Sequence, residues 1–224
     1  MEQYLPFLYV HPLFRGLAEE ETLGLLHKMH ALTRHYDKAQ ILWDLAKQTS
    51  FFGIVLEGSM LFAQEDWKGN RTIIGLFGAG DLLGENLSRS VEGLRHCQLH
   101  VRSKTTILAL DSTILRTPGS TPHVQTLLLN LNGLQVEREL LLLQKINYLG
   151  KRSTREKLLA YLAAQATRQG RREVVVPFTR QELADYLAVD RSAMCTELTH
   201  MQNDGLLRCD RHYFELLFSV PESS

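Results

Sequence analysis

Residues 179–203 read Thr179-Arg-Gln-Glu-Leu-Ala-Asp-Tyr-Leu-Ala-Val-Asp-Arg-Ser-Ala-Met-Cys-Thr-Glu-Leu-Thr-His-Met-Gln-Asn203, and this stretch encodes two helices with a sharp turn between them. Thr179 stands three residues before Glu182, so hydroxyl and carboxylate can each satisfy the other's backbone amide at a helix start. Leu183 and Leu187 give that short helix one apolar face, and Ala184 is small where a second helix must cross closely. Ala188-Val189 predicts a tight turn. Asp190 can then cap a second helix with Ala193, Met194, Leu198 and Met201 turned inward. Two short helices, a tight turn and a small crossing residue describe a helix-turn-helix.

The N-terminal face of the second helix would carry Arg191, Ser192, Cys195, Thr196 and Thr199 outward. These side chains can reach phosphates and base edges in a major groove. Thr179, Arg180 and Gln181, at the start of the first helix, are assigned to the same surface. Residues 203–217 alternate around a turn, as the hairpin wing of a winged helix would. Upstream, Lys151-Arg-Ser-Thr-Arg155 opens a helical stretch with Leu158, Leu159, Tyr161 and Leu162, and Val174-Val-Val-Pro177 predicts a short strand.

Further towards the N-terminus, His123 to Tyr148 has neither proline nor strand-like alternation. Val124, Leu127, Leu128, Leu131, Leu134, Leu141 and Leu142 recur at three- and four-residue steps, with Leu129, Leu140 and Leu143 on other faces. About 26 helical residues span about 39 Å, too long for one small domain to cover. Such a helix must pack on its own domain and on something else, for which a symmetry mate is the expectation. Leu127, Leu131, Leu134 and Leu141 are the expected dimerisation residues. An interior helix of one larger core is the plainer alternative.

Residues from about 35 to 117 are rich in β-branched and aromatic types and punctuated by glycine, which predicts many short strands in a sandwich or jelly roll. Trp67-Lys-Gly-Asn-Arg71 reads as a hairpin tip. Glu19 to Leu32 has helical spacing through Leu23, Leu26 and Met29. The expected fold class is therefore α+β, with an N-terminal β-roll at 1–122, a long helix at 123–150 and a winged helix-turn-helix at 151–224.

Lys plus Arg and Asp plus Glu are equal, at 25 each, so no global basic field advertises nucleic acid. Any DNA reading must rest on local geometry. Three scattered cysteines, Cys97, Cys195 and Cys209, argue against a disulfide framework, an iron–sulfur cluster or a structural zinc. No signal peptide and no apolar run of about 18 residues is evident, which leads to the expectation of a cytoplasmic protein.

Over nearly its whole length the chain resembles the Crp–Fnr family, the catabolite activator proteins and their relatives. Leu13-Phe-Arg-Gly-Leu17, Gly80-Asp-Leu-Leu-Gly-Glu85, Val101-Arg-Ser-Lys-Thr105, Thr179-Arg-Gln-Glu-Leu-Ala184 and Val189-Asp-Arg-Ser-Ala-Met194 occur in the family's order. The resemblance implies an effector-sensing β-roll, a homodimer, binding of a pseudo-palindromic double-stranded operator, and RNA polymerase as a partner.

It also marks departures. In members that bind cyclic AMP, a Gly-Glu turn leads to an Arg-Ser pair that holds the phosphate. Gly84 and Glu85 are present here, with Asn86 following, but the Arg-Ser positions fall near Cys97-Gln98, and a small slip offers Arg95 followed by His96. The hydroxyls that the long helix supplies in the family are replaced around Leu141 and Leu142. Losing an arginine opposite a phosphate removes a strong charge-assisted contact, so a small effector other than cyclic AMP is expected at these residues. In the recognition helix Arg191 matches the first base-reading arginine, while Ser192 and Thr196 replace the usual Glu and Arg, so the target should differ from the usual family palindrome. His96 and His100 as metal ligands, and Cys97 as a redox switch, are weighed against ordinary surface and buried roles, and no metal or certain cofactor is assigned. The rival to a DNA regulator is a ligand-binding sensory module acting through a protein partner. An enzyme finds no nucleophile–base pair, paired carboxylates, phosphate loop or metal spacing to support it.

Overall fold

The computed structural model describes residues 1–42, 51–84, 97–116 and 121–218. The chain divides into two compact units, Met1–Arg138 and Glu139–Ser224.

The first unit opens with helix α1 (Leu5–Tyr9) and helix α2 (Glu19–Lys28). The strands follow as β1 (Leu32–Tyr36), β2 (Ile41–Leu42), β3 (Phe51–Glu57), β4 (Ser59–Glu65), β5 (Arg71–Gly78), β6 (Leu82–Leu83), β7 (Cys97–Val101) and β8 (Thr105–Asp111). They form two antiparallel sheets, ordered β1-β8-β3-β6 and β2-β7-β4-β5. Helix α2 stops short of the expected Leu32, because His30 turns to φ 47° and Leu32 already pairs with Ala109.

The period of two along a strand explains the layering. Phe52, Ile54 and Leu56 of β3 enter one cluster with Leu108 and Leu110 of β8 and the helical layer. Val55 and Ile107 point the other way, into a second cluster with Met60, Phe77, Leu99 and Val101 from the facing sheet. Strand β3 is thus buried on both faces, which is why its sequence is an unbroken apolar run. Gly53 fits this close stacking, since a Cβ there would lie 2.7 Å from Ile107 Cγ2. The β4–β5 hairpin tip falls where the sequence placed it. Asp66 closes it by accepting from the Lys68 and Asn70 amides at 2.8 Å each.

Helix α3 (Pro122–Leu149) runs from the first unit into the second. Val124 and Leu127 are fully buried in the first unit's core, with Leu128, Leu131 and Leu134 packed against it. At about 1.5–3 kcal/mol per buried side chain, these residues bind the first half of the helix to the β-roll. Asn130 adds two hydrogen bonds, donating to the carbonyls of Leu13 at 3.0 Å and Arg15 at 2.8 Å.

The second unit holds the last turns of α3, then α4 (Thr154–Gln169), β9 (Glu173–Val175), α5 (Arg180–Leu187), α6 (Arg191–Asn203), β10 (Leu207–Asp210) and β11 (Tyr213–Leu216). Ser153 and Glu156 form the capping box of α4, and Gly170 ends it in the left-handed conformation at φ 64°. The three strands make one small sheet in the order β10-β11-β9. The architecture is α+β, a β-roll followed by a long helix and a winged helix-turn-helix.

Candidate nucleic-acid interface

Local capping builds the two helices of the motif. The Thr179 hydroxyl accepts from the Glu182 amide at 3.2 Å, and the Glu182 carboxylate accepts from the Thr179 amide at 2.7 Å. Leu183, Ala184 and Leu187 are buried beneath α5. The helix stops at Ala188, held in the left-handed region at φ 49°, ψ 59°. An alanine there costs about 1–2 kcal/mol. The turn is held by the Val189 amide donating to Ala184 O at 3.1 Å. Lys157 Nζ also donates to Leu187 O at 3.2 Å and Ala188 O at 3.3 Å.

Helix α6 starts on Asp190, whose carboxylate accepts from Ser192 Oγ at 2.5 Å and from the Ala193 amide at 2.8 Å. The Ser192 hydroxyl and the helix-end amides hold that carboxyl below its ordinary range. Met194, Leu198 and Met201 form the buried stripe. Ala193 does not join it and is exposed, a correction to the sequence reading. It lies about 100° round the helix from Met194, off the centre of the stripe. Arg155 fixes the helix from behind, with Nε on Glu197 at 2.5 Å and Nη2 on Asp204 at 2.7 Å.

The outward face carries Arg191, Ser192, Thr196 and Thr199 exposed, with Cys195 half-buried. Two hydroxyls on it are engaged within the helix: Ser192 with Asp190, and Thr199 donating to Cys195 O at 3.2 Å. A concavity at the N-terminal ends of both helices is lined by Thr179, Arg180, Gln181, Arg191, Arg211 and His212. Three guanidinium groups therefore converge in a chain with no net charge.

Two of those residues were not picked out from the sequence. Arg211 and His212 form the turn between β10 and β11, where Arg211 takes φ 46°. His212 Nδ1 donates to Phe178 O at 2.8 Å, which ties the wing turn to the segment leading into α5. The signal was the Asp210-Arg-His-Tyr213 turn itself, whose proximity to α5 arises only when β11 pairs with β9. Arg180, expected to extend towards a phosphate, is half-buried instead. Its Nη2 donates to Cys209 Sγ at 3.3 Å and its guanidinium lies over the Phe214 ring at 4.7 Å.

Of the expected effector residues, Glu85, Asn86 and Arg95 lie outside the described residues, as does His96. Gly84 closes β6 with φ 86°, and Cys97 and Gln98 open β7 half-buried. Burial pushes the Cys97 thiol up, away from its reactive form. Leu141 and Leu142 are exposed on the part of α3 that belongs to the second unit. Among the described residues no group of three or more His, Cys, Asp or Glu could hold a metal ion, and no helix is long and apolar enough to cross a membrane.

Leu127 cannot serve as the dimerisation residue it was expected to be, because it is wholly buried in its own unit. Leu131 and Leu134 pack against the same core. At about 100° per residue, Leu129, Gly133, Val136, Leu140 and Leu143 fall on the opposite face. The large members of that face are exposed: Leu129 by 74%, Val136 by 48%, Leu140 by 54% and Leu143 by 60%.

Residues 156–217 match the model of the Crp-like helix-turn-helix domain. Across 84% of this chain and 77% of the relative, the sequence is 26% identical to the transcriptional activator protein FnrL of Cereibacter sphaeroides. The fold is similar to that of FixK2 from Bradyrhizobium japonicum (TM-score 0.62, 16% identity, 84% of this chain and 93% of that one). It is also similar to the c-di-GMP responsive global regulator CLP of Xanthomonas campestris (TM-score 0.64, 20% identity, 88% and 100%). CprK complexed with OCPA gives a TM-score of 0.69 at 13% identity, covering 88% of this chain and 89% of that one. The capped helix pair, its wing and the β-roll that precedes them agree with these matches: the chain carries a Crp-like helix-turn-helix domain and is similar in sequence and fold to DNA-binding transcription regulators of the Crp–Fnr type.

Proposed function

We propose that this regulator reads a pseudo-palindromic double-stranded operator as a homodimer, with Arg191, Ser192, Cys195, Thr196 and Thr199 in the major groove. Thr179, Gln181, Arg211 and His212 lie along the phosphate backbone, with Arg180 behind them. The observation that carries this reading is the concavity where the starts of α5 and α6 meet the wing turn. Helix N-termini and guanidinium groups gathered there suit a phosphate, and the exposed face of α6 beside them suits base edges. Ser192 and Thr196 in place of larger charged readers give the protein its own target sequence. Selection of bound duplexes from a random pool, followed by gel-shift, tests this. A twofold-related consensus with half-sites about 34 Å apart is expected, and retention of no sequence above background would refute it.

The dimer seam runs along the exposed face of α3 through Leu129, Val136, Leu140 and Leu143. Their spacing of three, four and seven is that of a two-helix seam, and Gly133 among them lets a second backbone approach closely. The protein works in the cytoplasm, where at its operator it acts on transcription through RNA polymerase and catalyses no reaction. A small effector bound at the β-roll modulates operator affinity by favouring one conformation of the dimer over another. With Cys97 and Gln98 where an Arg-Ser pair would hold a phosphate, that effector is not cyclic AMP. CLP is described as responsive to c-di-GMP and CprK as complexed with OCPA, so different effectors accompany this fold.

A further inference from the structure

A buried histidine joins the N-terminal segment to the turn that leads, through β6, to Gly84. His11 is only 3% exposed, with the rings of Phe7 at 5.8 Å and Phe14 at 6.3 Å. Its Nε2 donates to Gly80 O at 2.9 Å, and its Nδ1 accepts from the Leu13 amide at 3.1 Å. These partners fix the tautomer, because a carbonyl can only accept and an amide N–H can only donate. Gly80 is itself seated on β3: its amide donates to Val55 O at 2.8 Å, and the Val55 amide donates to Asp81 O at 3.0 Å.

The same segment grips α3 at its other end. Both protons of the Asn130 amide nitrogen are spent on it, one on Leu13 O and one on Arg15 O. Gly16 follows at φ 83°, where a Cβ would meet Thr126 Cγ2, one turn before Asn130, at 3.8 Å. The leucines of α3 also hold it to this core, but apolar contact is non-directional and tolerates small slides and rotations. Two hydrogen bonds from one amide do not, and they fix the helix against residues 13–15. A continuous polar path thus runs from Gly80 through His11 and Leu13 to Asn130.

We propose that residues 11–15 are a relay that makes α3 follow the Gly78–Asp81 turn, with the neutral His11 ring as its breakable link. Its regulatory use rests on the reading that an effector acts at the β-roll beside Gly84, and it gives that effector a route to the helix. The ring supplies the two discrete states that such coupling needs. An imidazolium donates from both nitrogens, so on protonation Nδ1–H would face the Leu13 N–H and the link would break. Burial holds the ring's pKa below its ordinary value, against the Gly80 carbonyl and the Asp81 carboxylate, which both favour the charged form. Asp81 is the group whose charge acts on the ring; α1 presents Phe7 to it, and α3 presents the neutral Asn130 to the segment. Below the ordinary histidine value of 6.5 a released ring takes a proton that the seated ring refuses, so the seat weakens as pH falls from 6.5.

The test follows the His11 ring, the Asn130 side-chain NH2 and the Gly80 amide by NMR of the full chain, with no effector added. In the wild type all three should titrate together, with one midpoint below 6.5. His11→Gln keeps a donor for Gly80 O but cannot titrate, and should abolish that midpoint at Asn130 and Gly80. Asn130→Ala should move the His11 midpoint up towards 6.5. It should also speed Gly80 amide exchange at pH 7 at least about threefold while the β4–β7 amides stay unchanged. Asn130 signals that stay level while His11 titrates, or a midpoint and exchange rate untouched by Asn130→Ala, would overturn the relay and leave His11 a local cap. Should a variant fail to fold, the wild-type titration decides; should His11 stay neutral until acid unfolding, the Gly80 exchange in Asn130→Ala decides. None of these readouts involves a ligand, so their failure is distinct from failure of the effector reading, which ligand calorimetry tests.

Discussion

Arg180 lies folded over the ring of Phe214, with its guanidinium carbon 4.7 Å from the ring centre and Nη2 on Cys209 Sγ. A residue at the first position of the leading helix, free by sequence to reach for DNA, is thereby also a strut between the helix-turn-helix and its wing. This dual use separates the arginines of the interface into kinds that mutation can distinguish.

Arg191→Ala should weaken operator binding by about 1–3 kcal/mol and relax preference at one base pair in each half-site. Arg211→Ala should weaken all sequences alike and lower the salt slope by about one. Arg180→Ala should change the salt slope by less than Arg211→Ala and should lower the melting temperature of the second unit, because the Phe214 ring loses its cover. Salt-titrated binding with calorimetric melting checks all three, and an unchanged melting temperature for Arg180→Ala would remove the strut.

On α3 the two leucine faces should answer differently. Leu140→Glu with Leu143→Glu places like charges on the exposed stripe and should give folded monomers by sedimentation. Leu127→Ala should leave association alone and destabilise the first unit by about 2–5 kcal/mol, since its side chain fills the β-roll core. A dimer that survives the double glutamate variant moves the interface off this face.

The turn between α5 and α6 offers a stabilising change. Ala188→Gly relieves the left-handed backbone at φ 49° and should raise stability by about 1 kcal/mol. Lys157→Met should lower it by about 1 kcal/mol for each carbonyl it abandons. Denaturant midpoints at constant slope measure both.

The Asp190 cap sets a pH dependence. Its folded-state pKa is depressed, so its contribution is complete above the ordinary aspartate value and is lost as pH falls through the lowered one. As pH falls below the ordinary aspartate value of 3.8 the α6 amide signals should lose protection in the wild type, and Asp190→Asn should show a shallower loss. Equal slopes would mean that other carboxylates govern the acid limb.

Cyclic AMP should not bind below millimolar by calorimetry and should leave operator affinity unchanged. Cys97→Arg with Gln98→Ser restores the phosphate-holding pair of residue types and should introduce weak binding. Tight cyclic AMP binding by the unmodified protein would contradict the assignment of those two positions.

What the sequence determined by itself is what closes within a few residues. Both caps of the motif, Thr179 with Glu182 and Asp190 with the Ala193 amide, join groups three positions apart, so the residues alone fix them. The hairpin at Asp66–Asn70 was legible for the same reason. Tertiary structure decided what depends on distant partners. The sequence shows leucines on several faces of α3, but the β-roll core chooses Leu127 and leaves Leu143 bare. It shows an arginine at position 180, but the pairing of β11 with β9 brings Phe214 and the Arg211 turn beside it. Capping is a short-range balance of hydrogen bonds already present in the local chain. The aim of a long side chain, or of a helix face, is set by the surface that the rest of the fold brings against it.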